Sequence, residues 1–458
     1  MRRCADAVHP YGGRGEADLV VTDRRGPSSP VAVAAFNTVL AARAISCVYQ
    51  PIVTLDGHEV VAYEALARGP ASTNWSTPDV LVSYAAEIGR LPELDWICRA
   101  AACRGALDAR LHDDMPIFVN VEPVSSRVPC PRDLVDVIRR GMENLQLVAE
   151  ITERSVAGDP SGLLRAVGRL RTYNNRIALD DVGADAASQA MMPLLRPDVI
   201  KLDRSVVQAT TSPAAIAVAD AVRAEANRTG ALILAEGIET DEHLAAASAL
   251  GATLGQGWLL GRPDALPKRI RPPAMTLPRL RSSLSSGATP FEIASALVPA
   301  TEAGRRTVLM HSRAIEDQGI YAAEPTVLLT TFEDVRFFDP RTRERYTKLA
   351  DQGMLTAVYG PGMPADPAPN IRGCAVSRDD PLAAEWTVIV VGNRLAGGVF
   401  ARRRDRFAAG RGEAYELVVS GDRDVVLAAA TPLLERIALE RSALERNALD
   451  RNALDRRR

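Results

Sequence analysis

Six short apolar segments in the first 240 residues carry, at or near their carboxyl ends, side chains that can bind a metal ion, hold a phosphate or transfer a proton. The side chains concerned are Glu64, Asn120, Glu150, the pair Asp180 and Asp181, Lys201 and Glu236. From Asn120 onward they are about 20 to 35 positions apart, the length of a strand and helix unit in a parallel sheet. Because the strands of a parallel barrel carry their carboxyl ends to one face, we expect these side chains to meet there.

Carboxylates brought together in this way repel one another and raise their own pKa values unless positive charge is added. Ligands that are all oxygen, with no His or Cys among them, favour Mg²⁺ or Mn²⁺ over Zn²⁺. The adjacent Asp180 and Asp181 suit a ligand that bridges two ions, the arrangement used for phosphodiester cleavage. The sequence therefore predicts a two-metal site formed by Glu64, Asn120, Glu150, Asp180 and Asp181.

Other polar residues extend this predicted site. Lys201 can orient a nucleophilic water or bind phosphate, and Glu236 adds a carboxylate on the next strand. Gln256 can bond to a base edge or a metal-bound water, and Arg68 can hold a phosphate through its forked donors. Any one of these is more often a turn residue, a helix cap or a surface charge, so the recurrence on successive strands is what favours a site. The five histidines are scattered and give no support to a Ser-His-Asp or histidine–metal mechanism.

The alternation of strands and helices that must position these residues predicts a (β/α)₈ barrel of the TIM type, an α/β fold. Its beginning departs from the parallel pattern, because a strand over Cys47–Val53 is joined by the turn at Asp56 and Gly57 to the strand carrying Glu64, which predicts an antiparallel hairpin. Strand eight is predicted over Thr253–Leu259, and the barrel closes near Pro263.

The length of 458 residues leaves room for a second domain after a barrel of about 250 residues. We predict a disordered lead-in at 1–30, the barrel at 31–266 and a proline-rich linker at 267–278. A smaller α/β or α+β domain follows at 279–436, and a charged pentad-repeat tail at 437–458. Strands of the second domain are predicted at Arg306–Met310, Thr326–Thr331, Leu355–Tyr359, Thr387–Val391 and Tyr415–Val419.

The composition limits which classes of partner and which cellular location we expect. A net charge of −2 gives no general attraction to a nucleic-acid polymer or an anionic membrane, and no window approaches the apolar length of a membrane span. Six cysteines without a paired C-x-x-C spacing favour a reduced protein, and no secretory signal is recognisable, so we expect a cytoplasmic location.

The barrel sequence resembles the EAL-domain phosphodiesterases, which hydrolyse cyclic di-GMP to linear pGpG. The resemblance covers about residues 48–263 and rests on motifs in the family's order: Y-E-A-L-A-R, F-V-N-V, A-E-I-T-E, L-D-D, I-K-L-D, A-E-G-I-E-T and Q-G-W-L-L-G-R-P. It also accounts for the antiparallel first strands.

This resemblance implies a role for each residue of the predicted site. Glu64, Asn120, Glu150 and Asp180 would hold one metal ion, and Asp180 with Asp181 would bridge to a second. Lys201 and Glu236 would position the attacking water, while Arg68, Gln256 and Glu239 would shape the substrate site.

One stretch departs from the family pattern. After the Asp pair the family usually has F-G-T-G-Y-S-S, whereas residues 182–188 read V-G-A-D-A-A-S. The resemblance implies that this loop, anchored at Glu153, steadies the second metal and communicates across a homodimer formed through the barrel. The change leaves open an alternative, a catalytically weak or inactive receptor for cyclic di-GMP that acts as a signalling adaptor.

The second domain is similar to the DICT sensory domain. The stretches that carry this similarity are T-V-L-L-T-T-F-E-D-V-R-F-F, T-R-E-R-Y-T-K-L-A and D-P-L-A-A-E-W-T-V-I-V-V-G. It implies input from an unknown signal or protein partner, and an ordinary packing domain remains the alternative.

Overall fold

The computed structural model describes residues 29–437 apart from 72, 112–113, 153–159, 174, 184–185, 210–211, 280–286, 323, 325, 353–354, 393 and 405–412. The predicted lead-in and pentad tail lie, except at their inner ends, outside these residues. No helix in the described part of the chain combines the length and the apolar composition needed to cross a membrane.

The first part of the chain forms a closed eight-stranded barrel in sequential order. Strand β1 runs antiparallel to both of its neighbours, β2 and β8, and the other neighbours are parallel, as the sequence predicts. The strands are β1 Ser46–Thr54, β2 Val60–Arg68, β3 Pro116–Asn120, β4 Gln146–Thr152, β5 Arg176–Val182, β6 Val199–Leu202, β7 Leu232–Ala235 and β8 Leu254–Gly255.

Helices surround this barrel. Several begin with proline in the first turn, where the missing N–H costs nothing, and the ninth is capped by the Thr240 side chain, which accepts from the N–H of His243. The helices are α1 Pro30–Ala41, α2 Pro78–Glu87, α3 Leu91–Asp108, α4 Val135–Asn144, α5 Pro160–Thr172, α6 Ala186–Leu195, α7 Arg204–Gln208, α8 Pro213–Thr229 and α9 Asp241–Ala249.

The barrel interior contains a layer of buried apolar side chains, here called the interior layer. Every strand contributes to it, and each member is at most 2% exposed. The members are Ile52, Val61, Ala62, Phe118, Val148, Ala178, Val199, Leu234 and Leu254. Because side chains on a strand alternate between its two faces, a residue two positions further along points into the barrel as well, one layer higher.

The segment after β8 stays in contact with the barrel. Asp264 pairs with Tyr49 of β1, and the N–H of Ala274 donates to the carbonyl of Val60 at 3.0 Å. Leu277 is 1% exposed and belongs to the same apolar cluster as the interior layer. The stretch 267–278, which composition predicts as a linker, thus contributes a side chain to the barrel core.

The second part of the chain folds around a mixed seven-stranded sheet of order β12-β11-β10-β13-β14-β15-β9. Strands β10, β11 and β12 are parallel, and the remaining pairs are antiparallel. Its strands are β9 Thr301–Gly304, β10 Val327–Thr331, β11 Leu355–Gly360, β12 Ile371–Ala375, β13 Glu385–Val391, β14 Ala396–Arg404 and β15 Ala414–Ser420. Its helices are α10 Pro290–Leu297, α11 Arg305–Ile320, α12 Pro340–Gln352 and α13 at 423–437.

The predicted strand Arg306–Met310 is wrong, because these residues form the first turns of α11. A short apolar run such as V-L-M does not by itself distinguish a strand from a buried helix face. The sequence also missed β9, β12 and β14, the last of which contains the pair Gly397 and Gly398 and lacks an alternating pattern.

A buried carboxylate fixes the beginning of the second domain. Glu385, the first residue of β13, accepts from the Thr289 hydroxyl and from the N–H of Phe291, both at the start of α10. Thr289 also forms a reciprocal capping box with Glu292. Burial, which outweighs these hydrogen bonds, raises the pKa of Glu385 from 4.5 to about 7.

We expect Glu385→Gln to change the pH dependence of stability. Between pH 4.5 and 7 the folded wild type holds a proton on Glu385 that the unfolded chain has released, so its stability falls as the pH rises. Glutamine does not titrate, so the variant does not lose this stability as the pH rises. The difference in free energy of unfolding, variant minus wild type, should therefore increase by up to about 3 kcal/mol across this range. Urea unfolding of the full chain at pH 5 and 8 measures the difference.

The exposed Glu344, 73% accessible and paired with Lys348, supplies the control. Glu344→Gln should leave the pH dependence as it is in wild type. If Glu385→Gln and wild type differed in free energy of unfolding by the same amount at both pH values, the prediction would be contradicted.

Candidate active site

The predicted site residues lie at one end of the barrel, at or just beyond the carboxyl ends of strands β2 to β8. Six of them follow a member of the interior layer by two positions: Glu64, Asn120, Glu150, Asp180, Lys201 and Glu236 follow Ala62, Phe118, Val148, Ala178, Val199 and Leu234. Gln256 follows Leu254 in the same way. The strand period therefore directs these side chains toward one layer above the apolar core.

Lys201 lies at the centre of this layer and is 1% exposed. Its Nζ is 2.6 Å from Glu150, 2.7 Å from Glu236, 2.8 Å from Asp180 and 3.6 Å from Glu64. We call Lys201 and these four carboxylates the carboxylate cluster. These contacts bring acidic side chains from separate strands together around Lys201, which points into the barrel.

The oxygen atoms of the carboxylate cluster suit a divalent ion. Glu150 Oε1 and Asp180 Oδ1 are buried and lie 2.6 and 2.8 Å from the Lys201 ammonium, and each carboxylate oxygen has a second lone pair that can face a cation. Asp180, Asp181 and Glu236 also present oxygens within 4.8 Å of one another. One ammonium cannot balance so many carboxylates, and hard oxygen donors are those that Mg²⁺ and Mn²⁺ prefer.

The amide of Asn120 joins the same group, because its Nδ2 donates to Oε2 of Glu150 at 3.2 Å. That bond leaves the Asn120 carbonyl oxygen as an acceptor on the side chain of the last residue of β3.

The backbone at the Asp pair is irregular. The β5–β6 register shifts between Leu179 and Val182, so Asp180 and Asp181 occupy a bulge. Asp181 has a φ of +57°, a left-handed conformation that is uncommon for a residue other than glycine. Bulges redirect side chains next to active sites, and strained backbone concentrates there. The bulge explains how two adjacent residues of one strand can both serve the same site.

The cluster changes the proton affinity of its members. Burial raises the pKa of Glu150 well above its usual value, and Glu64 and Asp180 raise it further against the opposing effect of Lys201. Burial likewise raises the pKa of Glu236 to about 8. Burial alone would lower the pKa of Lys201, but the carboxylates around it outweigh burial and hold that pKa well above its ordinary value. These carboxylates therefore favour the charged form of Lys201.

Gln256 closes one side of the cluster. Its Nε2 donates to Glu64 at 2.7 Å and to Oε1 of Gln50 at 3.3 Å. Gln50 lies opposite Glu64 in the β1–β2 ladder, and its own Nε2 donates to the carbonyl of Gly261. Gln50 is not among the residues predicted from the sequence, although a polar residue inside the apolar run of β1 is a signal that could have identified it.

The turn after Gln256 is fixed by close backbone contact. A Cβ on Gly257 would lie 2.1 Å from the carbonyl oxygen of Ile238, so only glycine fits there. The N–H of Ile238 donates to the carbonyl of Gln256, which links the turn to the segment that follows Glu236.

The remaining predicted residues are placed less centrally. Arg68 is the last residue of β2, on the same face as Glu64, and its Nη1 donates to the carbonyl of Ala67. Glu239 is exposed, and its N–H donates to Nδ1 of His243 at the start of α9. Glu153, the predicted loop anchor, lies outside the described residues.

Both parts of the chain match known families. Residues 33–263 match the family described as EAL domain, and residues 292–404 match the DICT family, described as a sensory domain in diguanylate cyclases and two-component systems. The matches agree with the two resemblances on which the sequence analysis relied.

Curated relatives align with the barrel. The chain is 32% identical over 228 residues to the probable cyclic di-GMP phosphodiesterase PdeB of Escherichia coli, covering 48% of this chain and 42% of PdeB. It is 31% identical over 227 residues to the cyclic di-GMP phosphodiesterase RocR of Pseudomonas aeruginosa, covering 47% of this chain and 56% of RocR. A solved structure, the PaMucR phosphodiesterase in complex with c-di-GMP, is 26% identical with a TM-score of 0.44, over 51% of this chain and 96% of that chain. The alignments thus span about half of each curated relative.

Proposed function

Because its residues 33–263 make this chain a member of the EAL domain family, we propose that it hydrolyses cyclic di-GMP to linear 5′-pGpG with divalent metal ions. The observation that carries the proposal is the convergence of Glu64, Glu150, Asp180 and Glu236 on Lys201 at one end of the barrel. PdeB and RocR, which align with the same barrel, are named for this activity.

Two Mg²⁺ or Mn²⁺ ions would be held by oxygen atoms of the site. We assign Glu64, Asn120, Glu150 and Asp180 to one ion, and Asp180 with Asp181 to the second. The ions would neutralise phosphate charge and make water more acidic when bound. The convergence of the Glu64, Glu150 and Asp180 oxygens around Lys201 supports this assignment.

The protein's own side chains would orient the reactants. Glu236, whose side chain is 20% exposed and whose carboxylate contacts Lys201, is the cluster member best placed to meet a water at the rim and exchange a proton with it. Lys201 would fix that carboxylate and hold the water. Arg68, Gln256 and Glu239 would contact the substrate, Arg68 through a phosphate.

A turnover assay on the full chain tests the proposed function. We expect pGpG from cyclic di-GMP in the presence of Mg²⁺ or Mn²⁺, a loss of at least about 100-fold in rate when EDTA removes the metal, and recovery when Mn²⁺ is added in excess. Absence of product under varied metal and pH would contradict the proposal.

The loop after the Asp pair favours a second candidate, a receptor that binds cyclic di-GMP without turnover. Within residues 182–188 only Gly183 and Ser188 match the family pattern, and 184–185 lie outside the described residues. Gly183 has a φ of +116° and faces Val206 and Val218, which would meet a Cβ at 2.4 and 3.1 Å. Calorimetry that detects tight binding of cyclic di-GMP while no pGpG forms would establish this alternative.

We also propose that the DICT domain regulates the barrel. An ion pair between Arg228 of α8 and Asp424 of α13, at 3.1 Å, joins the two domains and supports such a role. A homodimer formed through the barrel and a cytoplasmic location remain part of the proposal, and the five cysteines of the described part are all free, as a reducing compartment would keep them.

A further inference from the structure

The bottom of the barrel, opposite the carboxylate cluster, is closed by residues 275–278, here called the plug. Arg176, the first residue of β5, donates from Nε to the carbonyl of Pro278 and from Nη2 to that of Leu277, both at 3.1 Å. Its Nη1 donates at 3.0 Å to Gln146, the first residue of β4. These bonds lie at the amino ends of the strands and hold the plug by its backbone.

The plug inserts a side chain under the interior layer. Leu277 is 1% exposed and packs with the apolar residues of that layer, and the partly buried Met275 packs against the same cluster. Leu277 comes from the segment after β8 and not from a strand. It therefore completes the packing of the layer from below.

The interior layer lies directly beneath the carboxylate cluster. Val148, Ala178 and Val199 precede Glu150, Asp180 and Lys201 by two positions on three neighbouring strands. Protein interiors are packed as densely as organic crystals, so neighbouring side chains move to fill part of a void made in one layer. A displacement of the interior layer would thus be passed along each strand to the cluster.

We propose that the plug is a positioning element of the active site: Leu277, seated by Arg176, sets the interior layer and through it the spacing of the carboxylates around Lys201. A role of the plug in catalysis rests on the proposed phosphodiesterase function, but the positioning of the carboxylates does not. Leu277 touches no reacting atom and acts through the layer above it.

Hydrogen exchange on the metal-free full chain tests whether a change at Leu277 reaches the carboxylate cluster. The variants are Leu277→Ala, the graded Leu277→Val, and Leu266→Ala, which removes a partly buried leucine of the same segment that packs on the outside of the barrel. We expect Leu277→Ala to speed exchange about tenfold at the carboxyl ends of β4, β5 and β6, with a smaller effect for Leu277→Val and none for Leu266→Ala. Faster exchange confined to the amino ends would overturn the proposal.

Metal affinity and kinetics provide a second measurement. Neither should change if the plug only stabilises the fold. Calorimetry with Mn²⁺ should show binding about tenfold weaker in Leu277→Ala, and kcat should fall by a similar factor while KM stays within twofold. The volume-conserving Leu277→Met should restore both. A lower unfolding midpoint with unchanged Mn²⁺ affinity would also overturn the proposal. A wild type that binds Mn²⁺ without turnover would instead count against the proposed function alone, and the exchange experiment would decide on the plug.

Discussion

Glu64→Gln is expected to lower kcat/KM for cyclic di-GMP by at least about 10³-fold. Glutamine keeps the size of a side chain that is 7% exposed and can still accept the hydrogen bond from Gln256, so the barrel should stay folded. The loss comes from charge, because the variant removes one carboxylate from the oxygens proposed to hold the metal ions. Steady-state assays at saturating Mn²⁺, together with calorimetric Mn²⁺ binding, measure the effect.

A matched control is Glu143→Gln on α4, whose carboxylate is 55% exposed and pairs with Arg139. The same chemical change there should leave kcat/KM within twofold of wild type. If Glu64→Gln retained turnover within tenfold of wild type, the carboxylate cluster would not be the site of reaction.

Lys201→Met should destabilise the metal-free protein by about 3–5 kcal/mol at pH 8, since it removes the cation from a group of buried carboxylates. Without the lysine these carboxylates bind protons more tightly in the folded state than in the unfolded chain. Stability of the variant should therefore fall as the pH rises, and the loss should be smaller at pH 5 than at pH 8. Turnover should fall below detection.

Urea unfolding at both pH values, with and without Mn²⁺, tests the Lys201 prediction. Mn²⁺ should stabilise the variant more than wild type, because it supplies positive charge that the variant lacks. Lys348→Met, which removes a lysine that is 63% exposed and pairs with Glu344, should change stability by less than about 0.5 kcal/mol. An equal loss at pH 5 and pH 8 would show that Lys201 acts by packing alone.

The sequence could predict the barrel and its cluster because two regularities coincide there. Strands such as β4 and β6 are apolar runs with one charged residue near the end, and the closure of the barrel brings Glu150 and Lys201 together without further information. The antiparallel β1–β2 pair was predictable from its turn at Asp56 and Gly57.

What escaped sequence analysis depends on contacts between distant segments. Gln50 joins the site only because β1 pairs with β2 and approaches the turn after β8. The buried position of Leu277 is hidden in a proline-rich stretch whose composition is typical of a linker. The bulge at Asp181 likewise arises from the β5–β6 register, which no local pattern in the sequence specifies.

The two anchors at the domain junction limit how far the domains can separate. Pro278 is bonded to Arg176 of the barrel, and Thr289 is bonded to Glu385 of the DICT sheet, which leaves residues 279–288 between them. Ten residues of chain reach at most about 35 Å when fully extended. Any docking and release of the second domain would therefore be unimolecular, with an effective concentration of about millimolar, and its balance would not change when the cell makes more or less of the protein.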